Sequence, residues 1–149
     1  MFYKNLAIKF LLIFIFSVIS SCNIPKDPEN SWEKIQRDGL KVGVVINSPY
    51  AFQKESLFTG SEVKLLKKFA KENNLKIKFI TENETYLVRK LENYEIDILI
   101  GGFTKKTIWT KKVGKSTPYD EEAHVFLIPK GENKLLHVIE SFIFNLKKK

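Results

Sequence analysis

The sequence of 149 residues contains little cysteine and little arginine. The one cysteine, Cys22, excludes a disulfide within the chain. Arginine occurs only at Arg37 and Arg89, although the formal net charge is +8. Surfaces that bind nucleic acid favour arginines interleaved with aromatic residues on one face of a suitable fold. The positive charge here is mostly lysine in ones and twos, as on a solvated surface, so we predict no nucleic-acid partner.

Recognisable catalytic and metal-binding patterns are also missing from the sequence. The two histidines, His124 and His137, fall on a predicted strand and a predicted helix, without the spacing of metal ligands. The acidic residues form no paired-carboxylate motif, and no glycine-rich loop is followed by Lys-Ser or Lys-Thr. We therefore predict that the protein is not an enzyme and holds no metal or cofactor.

The start of the sequence has the pattern of an export signal. Lys4 and Lys9 accompany an apolar run, "FLLIFIFSVIS", that is shorter than the roughly 20 residues needed to span a bilayer. The run ends in "ISSC", which resembles the lipobox of bacterial lipoproteins. That resemblance implies cleavage before Cys22 and acyl chains on this residue, which together would anchor the protein stably to a membrane. An ordinary signal peptide or a membrane anchor with an unmodified cysteine is the alternative.

The expected domain organisation follows from this segment. Residues 1–21 are predicted to be a lipoprotein signal peptide. Residues 22–30 contain two prolines among polar neighbours and are predicted to be a lipidated tether. Residues 31–149 are predicted to form one domain, because a chain of this length builds one hydrophobic core and not two large ones.

Strand and helix patterns alternate along the predicted domain. The segments rich in β-branched and apolar residues, which predict strands, are 40–46, 75–80, 96–102 and 123–129. The clearest helix is at the C-terminus, where Leu135, Ile139, Phe142 and Leu146 lie on one stripe. The expected class is therefore α/β, with a mainly parallel sheet of about four to five strands flanked by helices.

Two shorter helices have weaker signals. Asn30 and Glu33 stand at capping-box spacing before a short helix that is predicted to stop at Gly39. The segment "ENETYLVRKLENYE" predicts a helix with Tyr86, Leu87 and Leu91 facing inward. Between these helices, "NSPYAF" is interpreted as a loop and "ESLFTG" as ending in a turn, and "SEVKLLKKFAKENN" predicts a further helix with Val63, Leu66 and Ala70 on one stripe.

Two of the predicted loops leave the carboxyl ends of strands. They are "NSPYAF", residues 47–52, and "GGFTKK", residues 101–106. In open α/β sheets, ligands bind outside the carboxyl ends of the strands. These two loops are therefore the predicted site on geometry alone.

The order of several segments resembles the bacterial extracellular solute-binding proteins of family 3, which serve amino-acid ABC transporters. The matching segments are "DGLKVGVV", "SPYAF", "FTGSEVKLLKKFAKENNLKIKF", "LVRKLENYEIDILIGGFT" and "KSTPY", and they cover roughly residues 32–119. No segment is decisive by itself, but five in the right order form a specific pattern. The resemblance implies a periplasmic-binding-protein-like fold of type II, in which two α/β lobes close on the ligand.

The residues after Pro118 and Tyr119 imply that the second lobe is missing. In the family, the chain crosses a hinge here, builds a second lobe, and returns to the first lobe with a strand and a helix. The segment "VFLIPKGENKLLHVIESFIFNLKK" is similar to that return. We therefore expect a single lobe, residues 31–149, closed by its C-terminal helix. The alternative is a truncated sequence that ends in an amphipathic helix.

The resemblance also implies ligand-binding residues in the two loops. Tyr50 and Phe52 keep the aromatic character of the family's first loop. Gly101, Gly102 and Thr104 keep a rim where small residues let a ligand approach the backbone. These positions are the predicted ligand contacts, together with one residue that departs from the family pattern.

That residue is Trp109, which falls where the family has an arginine that clamps the ligand's α-carboxylate. Tryptophan has one N–H donor and no charge, so it cannot replace a guanidinium. The threonine of the same pattern falls on Lys106, and an aromatic residue that often stacks on the ligand falls on Glu84. We expect Trp109 either to form an aromatic floor with Tyr50 and Phe52 or to cover core exposed by the missing lobe.

The leading hypothesis is a lipid-anchored solute-binding or sensing protein for an amino acid or a related small polar metabolite. Its predicted partners are that ligand, a membrane reached through the lipid on Cys22, and an ABC permease or another envelope protein. The predicted location is the cell envelope, facing the periplasm or the cell exterior. The second hypothesis is a protein-interaction module that uses the former inter-lobe face, with ligand binding lost. An accessory domain of an envelope enzyme ranks third, because no catalytic pair is present.

Overall fold

The computed structural model describes residues 27–148. The predicted signal peptide, Cys22 and the first part of the predicted tether lie outside the described residues. Within the described part, every helix is too short or too polar to cross a bilayer.

Helices and strands alternate along the described chain, as the sequence predicted. The helices are α1 (Ser31–Asp38), α2 (Ser61–Glu72), α3 (Glu84–Glu92) and α4 (Asn133–Lys147), and a 3-10 helix spans Ile108–Lys111. The strands are β1 (Leu40–Val44), β2 (Phe52–Lys54), β3 (Leu57–Thr59), β4 (Ile77–Thr81), β5 (Ile98–Ile100), β6 (Gly114–Lys115) and β7 (Leu127–Ile128). The predicted α/β class is confirmed.

Five strands form the main sheet in the order β4-β1-β5-β7-β6. β1 is parallel to both of its neighbours, with Val42 opposite Phe79 of β4 and opposite Ile98 of β5. β7 is antiparallel to β5 and to β6. The sheet is mainly parallel, as predicted, and β5 is apolar throughout because helices cover both of its faces.

Two apolar clusters lie on opposite faces of this sheet. Residues of α1, α2 and α4 form one cluster with Ile98 and Ile100 of β5. Leu87 and Leu91 of α3 form the other cluster with Leu99 of β5. Successive side chains on a strand point to opposite faces, so β5 contributes to both clusters. This strand therefore lies at the centre of the core.

The C-terminal helix α4 closes the lobe along the predicted stripe. Leu135, Ile139 and Phe142 are buried, and Leu146 is half-buried. The Phe142 ring lies 5.3 Å from the ring of Phe69 in α2. Burying a large apolar side chain contributes roughly 1.5–3 kcal/mol, so α4 is a structural part of the core.

The chain returns to the same lobe directly after Tyr119. The N–H groups of Ser116 and Tyr119 donate to the carbonyls of Phe126 and His124, at 3.0 Å in each case. These two segments therefore run antiparallel, joined by a tight turn. Ala123 in this turn has a φ of 64°, in the left-handed region. The described residues thus form a single lobe, as the sequence predicted.

Residues 52–59 differ from the prediction of a loop followed by a turn. They form the antiparallel hairpin β2–β3, which is separate from the main sheet. Phe58 of this hairpin packs its ring 5.7 Å from the ring of Phe79. This contact with a strand distant in the sequence stabilises a short hairpin that local pattern does not reveal.

The inward face of α3 also differs from the prediction. Tyr86 is 40% exposed, whereas Leu87, Val88 and Leu91 are buried. The Tyr86 ring instead lies 4.8 Å from the guanidinium of Arg89. A tyrosine has a polar tip and stacks well on a cation, so an exposed position suits it better than the core.

The predicted capping box at the start of α1 does not form, and a residue distant in the sequence takes its place. Asn30 makes no side-chain cap. Glu132, which precedes α4, accepts hydrogen bonds from the N–H groups of Glu29 and Ser31, both at 2.8 Å. A carboxylate is favourable at this end of a helix because it satisfies free N–H groups and meets the positive end of the helix dipole.

Candidate ligand-binding site

The two predicted loops meet at the carboxyl edge of β1 and β5. Parallel pairing brings the two strand ends together, and Val45 donates its N–H to the Ile100 carbonyl at 2.9 Å. The Asn47 side chain then donates to the Gly101 carbonyl at 2.8 Å. The loop after β1 and the loop after β5 therefore form one continuous edge.

A buried carboxylate holds the turn formed by Gly101 and Gly102. Glu62, in the first turn of α2, accepts from the N–H groups of both glycines through one oxygen, at 2.8 and 3.0 Å. Its other oxygen accepts from the Tyr119 hydroxyl at 2.7 Å. Glu62 has 0% relative exposure. The glycine rim is therefore held from within the lobe, and its two N–H groups are directed at Glu62.

Burial and hydrogen bonding act in opposite directions on Glu62. Burial raises the pKa of Glu62 above its ordinary value, and the hydrogen bonds from Tyr119, Gly102 and Gly101 oppose this effect. Burial also raises the pKa of Tyr119, followed by the nearby charge of Glu62. The Tyr119 hydroxyl therefore keeps its proton at ordinary pH and remains a hydrogen-bond donor to Glu62.

Tyr50 lies directly over the glycine turn. A Cβ atom on Gly102 would stand 2.6 Å from Tyr50 Cδ2, and Gly102 has a φ of 73°, so glycine is required beneath the ring. The Tyr50 ring is 4.4 Å from the His124 ring, and its hydroxyl donates to Glu122 at 3.2 Å. Burial, followed by the hydrogen bond to Glu122, raises the pKa of Tyr50. The structure thus brings Tyr50, Gly101 and Gly102 together.

His124 is a packed histidine that connects the return turn to this edge. Its Nδ1 lies 2.8 Å from Asp120 Oδ2 and 3.6 Å from Glu122 Oε2. Its ring is stacked on the Tyr119 ring, with 6.0 Å between the centroids. Among residues 27–148, no grouping of three or more His, Cys, Asp or Glu side chains could hold a metal ion.

Trp109 forms a second group of contacts at the edge. Its Nε1–H donates to Glu84 Oε1 at 2.6 Å. The half-buried ring packs against the apolar cluster beneath α3, which includes Leu87 and Val113. The Lys112 ammonium lies 5.9 Å from the ring centroid. Trp109 therefore covers core and also contacts Glu84, another position that departs from the family pattern.

Thr104 and Phe52 occupy different places. Thr104 forms an isolated β-bridge with His124, and its hydroxyl accepts from the Lys106 N–H at 3.4 Å. Thr104 is therefore fixed to the residue that also contacts Tyr50. Phe52 begins β2 and is half-buried in the hairpin.

Sequence reasoning did not assign Glu62, Glu122 or His124 to the site. Glu62 has a usable signal, because it stands four residues before Leu66 on the buried stripe of α2. A carboxylate on an apolar stripe needs hydrogen-bond partners inside the protein. Glu122 and His124 have no such signal, since their contacts with Tyr50 depend on how the return turn folds.

The fold and this edge define a class of protein, the single lobe of a periplasmic-binding-protein-like domain. A family model for bacterial extracellular solute-binding proteins, family 3, matches residues 40–149. The chain belongs to this family. Membership implies an extracytoplasmic location.

A curated relative is named "Probable histidine-binding protein" and comes from Campylobacter jejuni subsp. jejuni serotype O:2. It is 25% identical to this chain over 134 residues. The similarity covers 89% of this chain and 52% of the relative. The chain therefore spans about half the length of this relative.

Solved structures of single domains are similar to this lobe. A phenylalanine-to-tryptophan mutant of the arginine-bound form of domain 1 from TmArgBP has a TM-score of 0.73 and 27% identity, covering 78% of this chain and 98% of that chain. The arginine-bound form of domain 1 from TmArgBP has a TM-score of 0.69 and 25% identity, covering 75% and 97%. The ancestral amino acid-binding protein AncCDT-1 shares the fold, with a TM-score of 0.71 and 18% identity over 78% of this chain and 93% of that one.

Proposed function

We propose that this lobe binds an amino acid or a related small polar metabolite at the carboxyl edge of its sheet. The observation that carries the proposal is the turn of Gly101 and Gly102, which buried Glu62 holds beneath Tyr50. An edge that is already ordered loses little conformational entropy when a ligand binds. The relatives support this ligand class, because one is named for histidine binding and the domain 1 structures of TmArgBP are arginine-bound.

Binding by one lobe is part of the proposal. One lobe buries less of a ligand than two closing lobes, so the affinity rests on few contacts. Tyr50 and Trp109 supply aromatic surface for those contacts, and Thr104 supplies a hydroxyl. Domain 1 of TmArgBP supports binding by one lobe, because that structure is arginine-bound and consists of a single domain. This chain covers 98% of the mutant form of that domain. The proposed role is binding or sensing, without catalysis.

We also propose that lipid on Cys22 attaches the protein to a membrane. The chain is joined to the lobe from Asp27 onward, because Asp27 accepts from the Lys134 N–H at 2.9 Å at the start of α4. Asp27 is only five residues after Cys22, and five residues span at most about 18 Å. The lobe would therefore stay close to the membrane surface.

The attachment point supports a defined orientation of the anchored lobe. α4 starts after β7, which runs antiparallel to β5, so Lys134 follows the edge where β5 begins. Gly101 lies at the edge where β5 ends. The proposed ligand edge would thus face away from the membrane that holds the lipid.

A second candidate function is docking of a protein on the same edge. Ile46, just after β1, is 53% exposed, and Ile108, in the 3-10 helix, is 83% exposed. Exposed apolar side chains beside a polar rim are typical of protein-interaction surfaces. In this alternative, ligand binding is lost and the edge contacts an envelope protein.

Thermal denaturation of the full chain in detergent, with a panel of amino acids, amines and sugars, tests the leading proposal. A ligand at 100 times its dissociation constant should stabilise the fold by about 2.7 kcal/mol, which raises the melting temperature by several degrees. Tyr50→Ala should abolish the shift. Tyr86→Ala removes an exposed tyrosine from α3 and is the matched control, which should keep it.

The outcomes separate the two candidates. A cooperative melt without a shift for any compound would contradict the ligand-binding proposal. Docking predicts instead that Ile46→Ser and Ile108→Ser reduce crosslinking to one defined envelope protein, with the melting temperature unchanged. Equal crosslinking in wild type and both variants would contradict the docking candidate.

A further inference from the structure

The contact between Trp109 and Glu84 leaves one oxygen of the Glu84 carboxylate available at the edge. The indole N–H donates to Oε1 of Glu84 at 2.6 Å. Oε2 of Glu84 has no hydrogen-bond partner among residues 27–148. Glu84 is half-buried, so its negative charge is only partly screened by water. The pair therefore presents an oriented acceptor beside an aromatic ring.

No guanidinium is placed to bind a ligand carboxylate in this lobe. Arg37 forms two hydrogen bonds with Asp38, at 3.0 and 2.9 Å, at the end of α1. Arg89 stacks on Tyr86 on the exposed side of α3. A carboxylate is recognised best by the two-pronged guanidinium fork, which a single lysine cannot reproduce.

The lysines that follow the glycine turn do not change this conclusion. Lys112 pairs with Glu92 at 3.2 Å. The Lys115 ammonium donates to the Lys105 carbonyl at 3.0 Å. Lys105 and Lys106 are exposed, where solvent screens their charges. None of these contacts builds a pocket for a carboxylate.

Negative charge and aromatic surface are instead combined at the edge. Glu122 accepts from the Tyr50 hydroxyl, and Asp120 contacts His124 in the same turn. Glu84 adds a third carboxylate at the start of α3, next to the Trp109 ring. A cation that is partly removed from water gains from a carboxylate and from the face of an aromatic ring together.

We propose that Glu84 and Trp109 determine the specificity of this site, selecting ligands by a cationic side-chain group, a guanidinium or an amine, and not by a free α-carboxylate. Glu84 binds the cation through its free oxygen. Trp109 is a positioning residue that orients Glu84 through the indole N–H. The proposal rests on the proposed function of this edge as a binding site for amino acids and related metabolites.

Three related compounds test the proposal by isothermal titration with the full chain in detergent. L-arginine carries both groups, L-argininamide lacks the carboxylate, and L-citrulline replaces the guanidinium with a neutral group of nearly the same shape. We expect arginine and argininamide to bind within about 3-fold of each other. We expect citrulline to bind at least about 10-fold more weakly, because it lacks the side-chain charge that Glu84 recognises.

Two variants test whether Glu84 and Trp109 cause this difference in affinity, and a third variant is the control. Glu84→Gln keeps the size of the side chain and should weaken arginine and argininamide about 10-fold or more, with little change for citrulline. Trp109→Phe keeps an aromatic ring without the N–H, and should reduce the ratio of arginine to citrulline affinity. Glu95→Gln removes an exposed carboxylate beyond the far end of the same helix, and should leave all three affinities unchanged.

The titrations give different results if this inference fails and if the proposed function fails. Citrulline binding as tightly as arginine, or argininamide binding at least about 10-fold more weakly than arginine, would overturn the inference while the site remains a binding site. Equal losses for all three compounds in Glu84→Gln would also overturn it, because they would indicate a structural role. Absence of binding by any amino acid or amine would overturn the proposed function itself.

Discussion

The Trp109 indole donates a hydrogen bond to Glu84, with 2.6 Å between Nε1 and Oε1, across 25 positions of the sequence. Both residues stand at capped helix starts. Glu84 opens α3, where the Asn83 side chain accepts from the Thr85 N–H at 3.0 Å. Trp109 stands two residues after Thr107, whose hydroxyl accepts from the Trp109 N–H at 3.4 Å. Two local caps therefore place the donor and the acceptor independently of any ligand.

Trp109 should contribute to stability mainly by packing. Removing a fully buried large aromatic side chain costs about 3–5 kcal/mol, and this ring is half-buried, so we expect Trp109→Ala to lower the free energy of unfolding by about 2 kcal/mol. Trp109→Phe should cost about 1 kcal/mol, because most of the packing remains and one hydrogen bond is lost. Urea denaturation measures both. Equal stability of Trp109→Ala and wild type would show that the ring does not cover the core.

Glu62 should be among the most sensitive polar residues in the lobe. Glu62→Ala leaves two glycine N–H groups and the Tyr119 hydroxyl without partners, and we expect a loss of roughly 3 kcal/mol or more. Glu62→Gln keeps an oxygen for the glycines and should cost about 1 kcal/mol. Chemical denaturation compares the two variants. A loss below about 1 kcal/mol in Glu62→Ala would contradict the role assigned to these bonds.

Glu132 should hold the start of the lobe in place. Without its carboxylate, the N–H groups of Glu29 and Ser31 lose their acceptors, so we expect Glu132→Ala to cost about 1–2 kcal/mol. Hydrogen exchange at these two amides should become faster while exchange in β5 stays slow. Glu121→Ala, in the exposed part of the return turn, is the matched control and should change neither amide.

Asp97 should make the lobe less stable as the pH rises from about 4 to about 6. Burial is the main cause that raises the pKa of Asp97 from 3.8 to about 6. The folded state therefore binds this proton more tightly than the unfolded state does. The stabilisation is complete below pH 4 and is lost as the pH rises through the folded pKa. Asp97→Asn should remove this loss, because asparagine can still accept the Lys41 N–H without carrying a charge.

Asp38 provides a control of opposite sign for that pH dependence. The hydrogen bond from Arg37 is the main cause that lowers the pKa of Asp38. Its contribution is therefore present at higher pH and is lost as the pH falls through the folded pKa. The melting temperature of wild type minus that of Asp97→Asn should decrease as the pH rises. The melting temperature of wild type minus that of Asp38→Asn should increase as the pH rises. Parallel pH curves for Asp97→Asn and wild type would contradict the burial of its charge.

Much of the fold was predictable because its signals are local and periodic. The stripe of Leu135, Ile139 and Phe142 predicted α4, and apolar runs predicted the strands of the parallel sheet. The β2–β3 hairpin was not predictable in this way. Its strands have three residues each, and Phe58 reaches Phe79 only after the sheet has formed. Short elements depend on distant contacts more than on their own pattern.

The site was predictable in its location and less so in its chemistry. Strand ends of a parallel sheet meet at one edge, so the loops at Tyr50 and Gly101 could be paired from sequence order. Glu62 supports the rim from a helix 39 positions before Gly101, and this contact needs the packed lobe. The predicted ligand role of Trp109 remains a prediction that the titrations of Trp109→Phe would test, and the ligand roles of Phe52 and Thr104 remain predictions.

The sequence by itself determined the α/β class, the single closed lobe and the edge at which the two loops lie. These features follow from hydrophobic periodicity and strand order, which are properties of the chain. Only the tertiary structure decided that Glu62 lies beneath the glycine turn, that Glu132 caps α1, and that Trp109 donates to Glu84. Each of these contacts joins residues far apart in the sequence. The directions and distances of hydrogen bonds are set only when packing brings such residues together.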